Sequence, residues 1–572
     1  MKTPFALAIG LLSIATGGHY AGYWTVPPLS SLLPESAERW SCRPFLPNLF
    51  SDTPPANHPA IDGAAKSLDS QLSSRFSRGD IDSLSVAVVT SSGVLYEKNF
   101  GVMRANETGS LPTHSHSIYR IASVANLFNV LEGFILEQRG LISWDDPIDK
   151  YIKDFRYLAT GLDENAPFAS HEQPPMTLRQ LASHMSGIGR DWPPGTVANW
   201  PHSMAGMGPP PTNGLPFPSY DDLLKSIAEH HLVSPPGAYP AYSNAGTALL
   251  AYALASASSA ASGDATKIHY ADLLKRDIFE PMRLNGSSFS VTEANKHLIV
   301  VPSLAPEVVD QDFLDAMNPA AGQYSSLADM ITVTQTLLDP RHPKSQLSQY
   351  SMDTWLQTVH AFEEDDWTEL GFVWEIVKAR DSNGRPRKIY WKLGAMAGHH
   401  AALAIHPGTG YGVVVLMAGH YPDAAKLAYD AFEIMQPAID KALADMAAEL
   451  YVGQWRDEDP EAKANSSALV AISKGTLYIE KLVLEGVDAL KNFGAPGRLA
   501  LRSSRRRDEF RIDTGIPGYN GQKHMGCYPY WNGQDLWGVR NNAAVNLIYF
   551  SGAGVERRLH VPSIGLVMKR VY

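Results

Sequence analysis

The chain reads as a mixed α/β protein of the α+β kind, a large domain of helices and sheet followed by a small all-β domain. Three observations predict this. Val124, Leu127, Phe128, Leu131 and Ile135 recur at helical spacing over 124–138, and their apolar face is wide enough to require a largely buried helix. From about Leu450 the pattern changes to short strand-like segments separated by turn residues. The 572 residues are 44% hydrophobic and 19% charged, which excludes wholesale disorder and, at roughly 150 residues per domain, supports about two to four units.

Each element follows from local composition. Lys2, the apolar stretch Pro4 to Ala15 and the small residues Thr16, Gly17 and Gly18 predict a signal peptide over 1–21, because the apolar run is too short to span a bilayer. A short uncleaved anchor is the alternative. Residues 22–57 carry Pro27, Pro28, Pro34, Pro44, Pro47, Pro54 and Pro55 and read as an extended Pro/Ser-rich arm. Residues 58–447 form the mixed domain, in which Gly140 stops the 124–138 helix and the Pro-rich stretch 192–218 is a long loop. Residues 448–572 form the β domain: strands at 468–473 and 476–484 around a Lys474-Gly475 turn, then at 542–551 and 558–571.

A secretory destination follows from the leader, since no later segment is apolar enough to span a membrane stably. The sequons at Asn106, Asn285 and Asn465 agree with it. In an oxidising compartment the only two cysteines, Cys42 and Cys527, are expected to form a disulfide; two separate thiols are the alternative. The formal net charge of −11 gives no basic stripe for nucleic acid. The one basic run, Arg502 to Arg507 with Arg511, is followed by Asp508 and Glu509 and reads as a solvated turn.

Common chemical signatures are absent. There is no Gly-x-Ser-x-Gly, no His-Glu-x-x-His, no Walker loop and no Gly-x-Gly-x-x-Gly. His114-Ser115-His116 has no further ligands at suitable spacing, so neither a metal nor a cofactor is expected.

An ordered set of motifs is present instead: Tyr119-Arg120-Ile121-Ala122-Ser123-Val124-Ala125-Asn126; Gly140 to Pro147 with Lys150-Tyr151; Thr177-Leu178-Arg179-Gln180-Leu181-Ala182-Ser183-His184-Met185-Ser186-Gly187; Tyr242-Ser243-Asn244; Pro319 to Ser326 with Asp329; and Lys392-Leu393-Gly394 followed by Gly398-His399. This series resembles the serine β-lactamase and penicillin-binding superfamily, nearest its class C-like esterase and transesterase branch, and the added β domain looks like that of secreted fungal members. The resemblance implies an antiparallel sheet flanked by helices, a helical subdomain, and a site in the cleft between them. It implies Ser123 as nucleophile, Tyr242 as base and Lys392 as the cation beside it. Asn126, Asn244, Gly394, Ala395 and His399 would contact substrate, with the N–H groups of Ser123 and Ala395 forming the oxyanion hole. A small-molecule ester or acyl substrate is expected.

One position departs from that pattern. Where the family carries lysine three residues after the serine, this chain has Asn126, and no Ser-x-x-Lys occurs anywhere in it. Asparagine has no titratable amine, and losing such a group costs orders of magnitude in rate. β-Lactam or peptide hydrolysis of the ordinary kind is therefore not expected. Three readings follow: attack by Ser123 on an activated ester or thioester, with Tyr242 assisted by Lys392; a cleft that binds ligand or moves protons through Tyr242, Lys392 or His399; or a degenerate protein with a retained fold. Relatives in the resembling group include acyltransferases of fungal secondary metabolism, so a biosynthetic role belongs with the first reading.

Overall fold

The computed structural model describes residues 42–571 apart from 53–54, 56, 159–174, 263–267, 459–464, 496 and 516–525; the expected signal peptide and residues 22–41 of the arm lie outside them. After helix α1 (Pro59–Phe76) come strands β1 (Ile81–Thr90) and β2 (Gly93–Gly101), then helices α2 (Ala125–Gln138), α3 (Asn244–Ser262) and α4 (Leu327–Leu338). Strands β3 (His360–Ala361), β4 (Thr368–Leu370), β5 (Glu375–Arg380), β6 (Pro386–Met396), β7 (His399–His406) and β8 (Tyr411–Gly419) follow, and helix α5 (Ala424–Tyr451) closes this part. The strands make one eight-stranded sheet in the order β2-β1-β8-β7-β6-β5-β4-β3, antiparallel throughout.

The central strands are continuous apolar runs because both of their faces are covered. Alternate residues feed two cores. Val413, Val415 and Met417 of β8 join Leu84, Val86 and Val88 of β1 under α1 and α5. Val414, Leu416 and Ala418 join Ala87 and Val89 on the opposite side, where α4, α2 and α3 lie. α2 is buried from Ala125 to Leu136 on every face, as its sequence requires. It ends where expected: Gly140 takes φ +71 and Leu141 N–H returns to Leu136 O at 3.0 Å, the left-handed stop that glycine adopts most cheaply.

The sheet that follows α5 has nine strands running from Gly453 to Val571. Its core is continuous with that of α5, since Tyr451 and Trp455 pack on Phe550 with ring centroids 5.0 and 5.3 Å apart. Lys474 and Gly475 both take positive φ in the hairpin between Ser467–Ser473 and Thr476–Leu484, the geometry a tight two-residue turn needs. The single strand expected over 558–571 is two strands, Arg558–Val561 and Leu566–Val571. Pro562 and Gly565, the latter at φ +68, turn the chain between them. The strand expected over 542–551 is divided into Ala543–Ala544, paired with Val539–Arg540, and Leu547–Ser551. The basic run caps the hairpin between Leu499–Ser503 and Glu509–Asp513. Arg502, Arg505 and Arg506 face Asp513, Asp353 and Glu509, so their charge is spent locally.

Cys42 and Cys527 are bonded. The arm beside Cys42 is threaded between the two sheets. Pro44 O accepts from Thr476 Oγ1 at 2.8 Å and from Arg385 Nη1 at 3.0 Å, and Arg43 donates to Lys474 O and Asn383 O. Removing a cross-link that closes so long a loop costs about 2–5 kcal/mol. Calorimetry should therefore find a lower melting temperature for the Cys42→Ser, Cys527→Ser double variant; an unchanged value would mean that the arm's hydrogen bonds alone hold the junction.

Candidate active site

The turn before α2 is built from a chain of backbone constraints. Arg120 is buried and donates to Gly322 O at 2.7 Å and to Val309 O at 3.0 Å, with its guanidinium 3.9 Å from the Tyr324 ring. Ile121 N–H reaches Gln323 O at 3.1 Å. Ala122 is then forced to φ +47, a left-handed conformation that costs free energy for a residue with a Cβ and that persists only where the surroundings over-determine it. The bend turns Ser123 to the surface. From Ile121 to Leu136 it is the one residue that is not buried, and it sits where the N-terminal amides and the dipole of α2 favour negative charge.

Strand β6 closes against this turn. A Cβ on Gly394 would lie 2.2 Å from Ile121 O and 3.3 Å from the Ala122 Cβ, so only glycine allows the approach. The next residue, Ala395, is exposed. β5 pairs with β6 only as far as Glu375 opposite Trp391, whereas β6 runs on to Met396 with β7 on its other side. Residues 392–396 therefore present an open strand edge beside Ser123.

Tyr242 and Asn244 arrive from the start of α3. Ser243 anchors that start, donating to Gly189 O at 2.8 Å and accepting from Gly246 N–H at 2.7 Å. Asn244 Nδ2 donates to the Asp191 carboxylate at 2.8 Å, and burial raises the pKa of that carboxyl. Asn244 Oδ1 is buried and has no hydrogen-bond partner among the described residues.

Asn126 is buried at 1% exposure. The orientation of its amide that pairs both atoms turns the nitrogen to Pro319 O and Ala320 O, each at 3.1 Å, and to Ser123 O at 3.3 Å. The oxygen then accepts from Tyr242 Oη at 3.3 Å. On the other side of Tyr242, Lys392 Nζ lies 5.0 Å from the ring centroid and donates to Glu375 Oε1 at 2.7 Å and Leu393 O at 3.1 Å. Burial opposes the lysine charge, but Glu375 and Tyr242 outweigh it and hold the ammonium above its usual pKa.

The structure thus brings Ser123, Asn126, Tyr242 and Lys392 together, with Asn244, Gly394 and Ala395 beside them on the same elements. His399 is not part of that surface. It is wholly buried on β7, on the face that carries Ala401 and Leu403 into the helical-side core. Burial, with Arg120 and His400 nearby, pushes its pKa down to about 3. The expected substrate contact from His399 is therefore corrected: a neutral, enclosed imidazole under the sheet cannot reach a ligand in the cleft.

Two groups were not foreseen. His184, at φ +58, lays its ring on Tyr242 with centroids 4.5 Å apart. Its Nδ1 accepts from Ser243 N–H at 3.2 Å, which places the proton on Nε2. Burial first, then Lys392 and Arg190, push its pKa down to about 3, so it is a neutral plate behind the phenol. The motif Thr177–Gly187 contains His184, but nothing in its spacing pairs it with Tyr242. Glu375 is the second. An acidic residue opening a strand carries no signal of its own, because its meeting with Lys392 depends on the register of β5 against β6.

Comparison with known proteins identifies the fold and the family. Among solved structures, a class C beta-lactamase aligns with a TM-score of 0.50 at 16% identity, covering 66% of this chain and 98% of its own. The octameric penicillin-binding protein homologue from Pyrococcus abyssi aligns with the same score and identity over 88% of this chain and 99% of its own. The fold is that of class C beta-lactamases and penicillin-binding proteins. A family model described as Beta-lactamase matches residues 66–436, and the chain belongs to that family. Its relatives include Beta-lactamase-like protein str6 of Strobilurus tenacellus, 38% identical over 52% of this chain and 97% of its own. Putative beta-lactamase-like 1 of Homo sapiens is 25% identical over 67% and 71%.

Proposed function

We propose that the protein is a secreted serine hydrolase or acyltransferase that attacks an ester or thioester through Ser123. The observation that carries the reading is that Ser123 alone is only half-buried at the head of an otherwise buried helix, against a glycine that admits β6 to within contact of its turn. Ser123 Oγ adds to the substrate carbonyl and its proton passes to Tyr242 Oη. The carbonyl oxygen becomes an oxyanion beside the N–H groups of Ser123 and Ala395. The tetrahedral adduct collapses to an acyl-Ser123, and the departing alkoxide or thiolate takes the proton from Tyr242. Water or a second alcohol then accepts the acyl group. Lys392 places its ammonium 5.0 Å from the centre of the Tyr242 ring. Because Asn126 supplies no amine, the leaving group must depart with little help, which favours esters and thioesters over amides.

Secretion is supported by the N-terminal leader pattern, the Cys42–Cys527 bond and the exposure of Asn106, Asn285 and Asn465 as glycan acceptors. Among the described residues no helix is long and apolar enough to cross a membrane. A second reading, ligand binding without acylation, is favoured by one observation: Tyr242 Oη is already engaged as a donor to Asn126 Oδ1.

Intact-mass measurement after treatment with a fluorophosphonate decides between them. One adduct is expected on the native protein and none on Ser123→Ala. Absence of an adduct on the native protein would overturn the acylation reading in favour of the second.

A further inference from the structure

The Lys392–Glu375 pair sets what the cleft can accept from a substrate. Lys392 is 1% exposed and its donors are committed to Glu375 Oε1 and Leu393 O, with Tyr242 beside them. Glu375 is not satisfied in the same way. Its side chain is 24% exposed, one oxygen is taken by Lys392, and Oε2 is buried with no hydrogen-bond partner among the described residues. It stands at the first residue of β5, where the edge of β6 opens toward Ser123. Asn244 Oδ1, at the same site, is a second buried acceptor without a donor among the described residues. Two buried acceptors of the site are therefore unmet, and the donors of Lys392 are already taken by Glu375 Oε1 and Leu393 O.

Leaving a buried acceptor unpaired is costly, and a ligand that supplies the missing donor recovers that cost. A ligand that brings a carboxylate to the same place meets a like charge instead. We propose that Glu375 is a specificity-determining residue that selects substrates presenting a neutral O–H or N–H donor beside the reacting carbonyl and rejects those presenting a carboxylate there. The proposal rests on the reading of the cleft as an acylation site, and its test is arranged so that either can fall alone.

The probes are phenylboronic acids carrying a meta-hydroxymethyl, meta-methoxymethyl or meta-carboxylate group, titrated calorimetrically into the full-length protein. Ser123 Oγ bonds to the trigonal boron and its proton passes to water, leaving an anionic tetrahedral adduct, so binding is read without turnover. The hydroxymethyl compound should bind the native protein at least about tenfold tighter than either of the others. In Glu375→Gln, which removes the charge beside Lys392, the carboxylate compound should gain most and the preference should collapse. Should that variant not fold, Glu375→Asp, which withdraws the carboxylate by one methylene, should weaken the preference in the same direction. Equal binding of the three compounds, no binding of the hydroxymethyl compound, or an unchanged ratio in the Glu375 variants overturns the proposal. Ser123→Ala separates the two claims. A retained preference with affinities that Ser123→Ala does not alter would remove the acylation reading and leave Glu375 as the selector. A loss of all three affinities in Ser123→Ala, with no preference in the native protein, would remove only the role of Glu375.

Discussion

The Asn126→Lys variant should react with a fluorophosphonate about a hundredfold faster than the native chain, within the range that a positioned general base contributes. The position is already shaped for an amine. Pro319 O, Ala320 O and Ser123 O lie 3.1–3.3 Å from the amide nitrogen of Asn126, and Tyr242 Oη is 3.3 Å from its oxygen. A lysine nitrogen there would find carbonyl acceptors and the phenol within reach. It would also be desolvated, since Asn126 is 1% exposed, and would face Lys392, which stays charged. Burial and a like charge both lower a lysine pKa, so the new amine would be neutral, and able to take the Ser123 proton, well below its ordinary value of about 10.4. The sign follows: the free-amine fraction grows as pH rises through that lowered pKa, so the labelling rate should climb with pH over a range in which the native rate changes less. The longer side chain costs about 1–3 kcal/mol of stability through overpacking. Rates from intact mass at several pH values check both parts. A variant that folds but reacts no faster would show that the native site is limited by something other than the missing amine.

Gly394→Ala should lose the same reaction by the opposite route. Its methyl would be placed 2.2 Å from Ile121 O, a backbone atom with no freedom to swing aside, and 3.3 Å from the Ala122 Cβ. Ala122 is already held at φ +47, so the turn has little slack, and β6 must retreat from it. That retreat widens the gap between the N–H groups of Ser123 and Ala395. Losing one donor to a developing oxyanion costs about 10²–10³ in rate, whereas the packing penalty is about 1–3 kcal/mol. Labelling kinetics and melting temperature, measured on the same preparation, should therefore diverge, with a folded protein and a reaction slowed by at least two orders. A fall in melting temperature with an unchanged labelling rate would remove Ala395 from the oxyanion hole.

The sequence disclosed the parts of this site that are written locally. Ser123, Tyr242, Lys392 and Gly394 stand in short motifs whose order along the chain matches a known series, and α2 shows its burial in its own periodicity. It did not disclose what the motifs are set against. Glu375 reaches Lys392 only because Glu375 pairs with Trp391 across two strands. His184 reaches Tyr242 only because the backbone of Ser243 folds back to its ring. His399 misled for the complementary reason. Two adjacent histidines on a strand point to opposite faces, both faces of β7 are covered, and a motif cannot say how deep its strand lies. The strand expected over 558–571 failed on turn chemistry, where Pro562 and Gly565 outweigh the apolar pattern around them.

The pairing of β1 with β8 governs how this protein can be made. Val86 lies opposite Val415, so a ribosome releases one strand of the central pair most of a domain's length before the other. Until then β1 and β2 form a hairpin with an apolar, unsatisfied edge, the kind of surface that aggregates or recruits chaperones. The arm waits longer still, because its cysteine finds its partner at position 527. The eight-stranded sheet can close once β8 has emerged, but the arm is tied down only when Cys527 follows. Its many distant contacts slow that assembly, and the Cys42–Cys527 bond joins residues 485 positions apart.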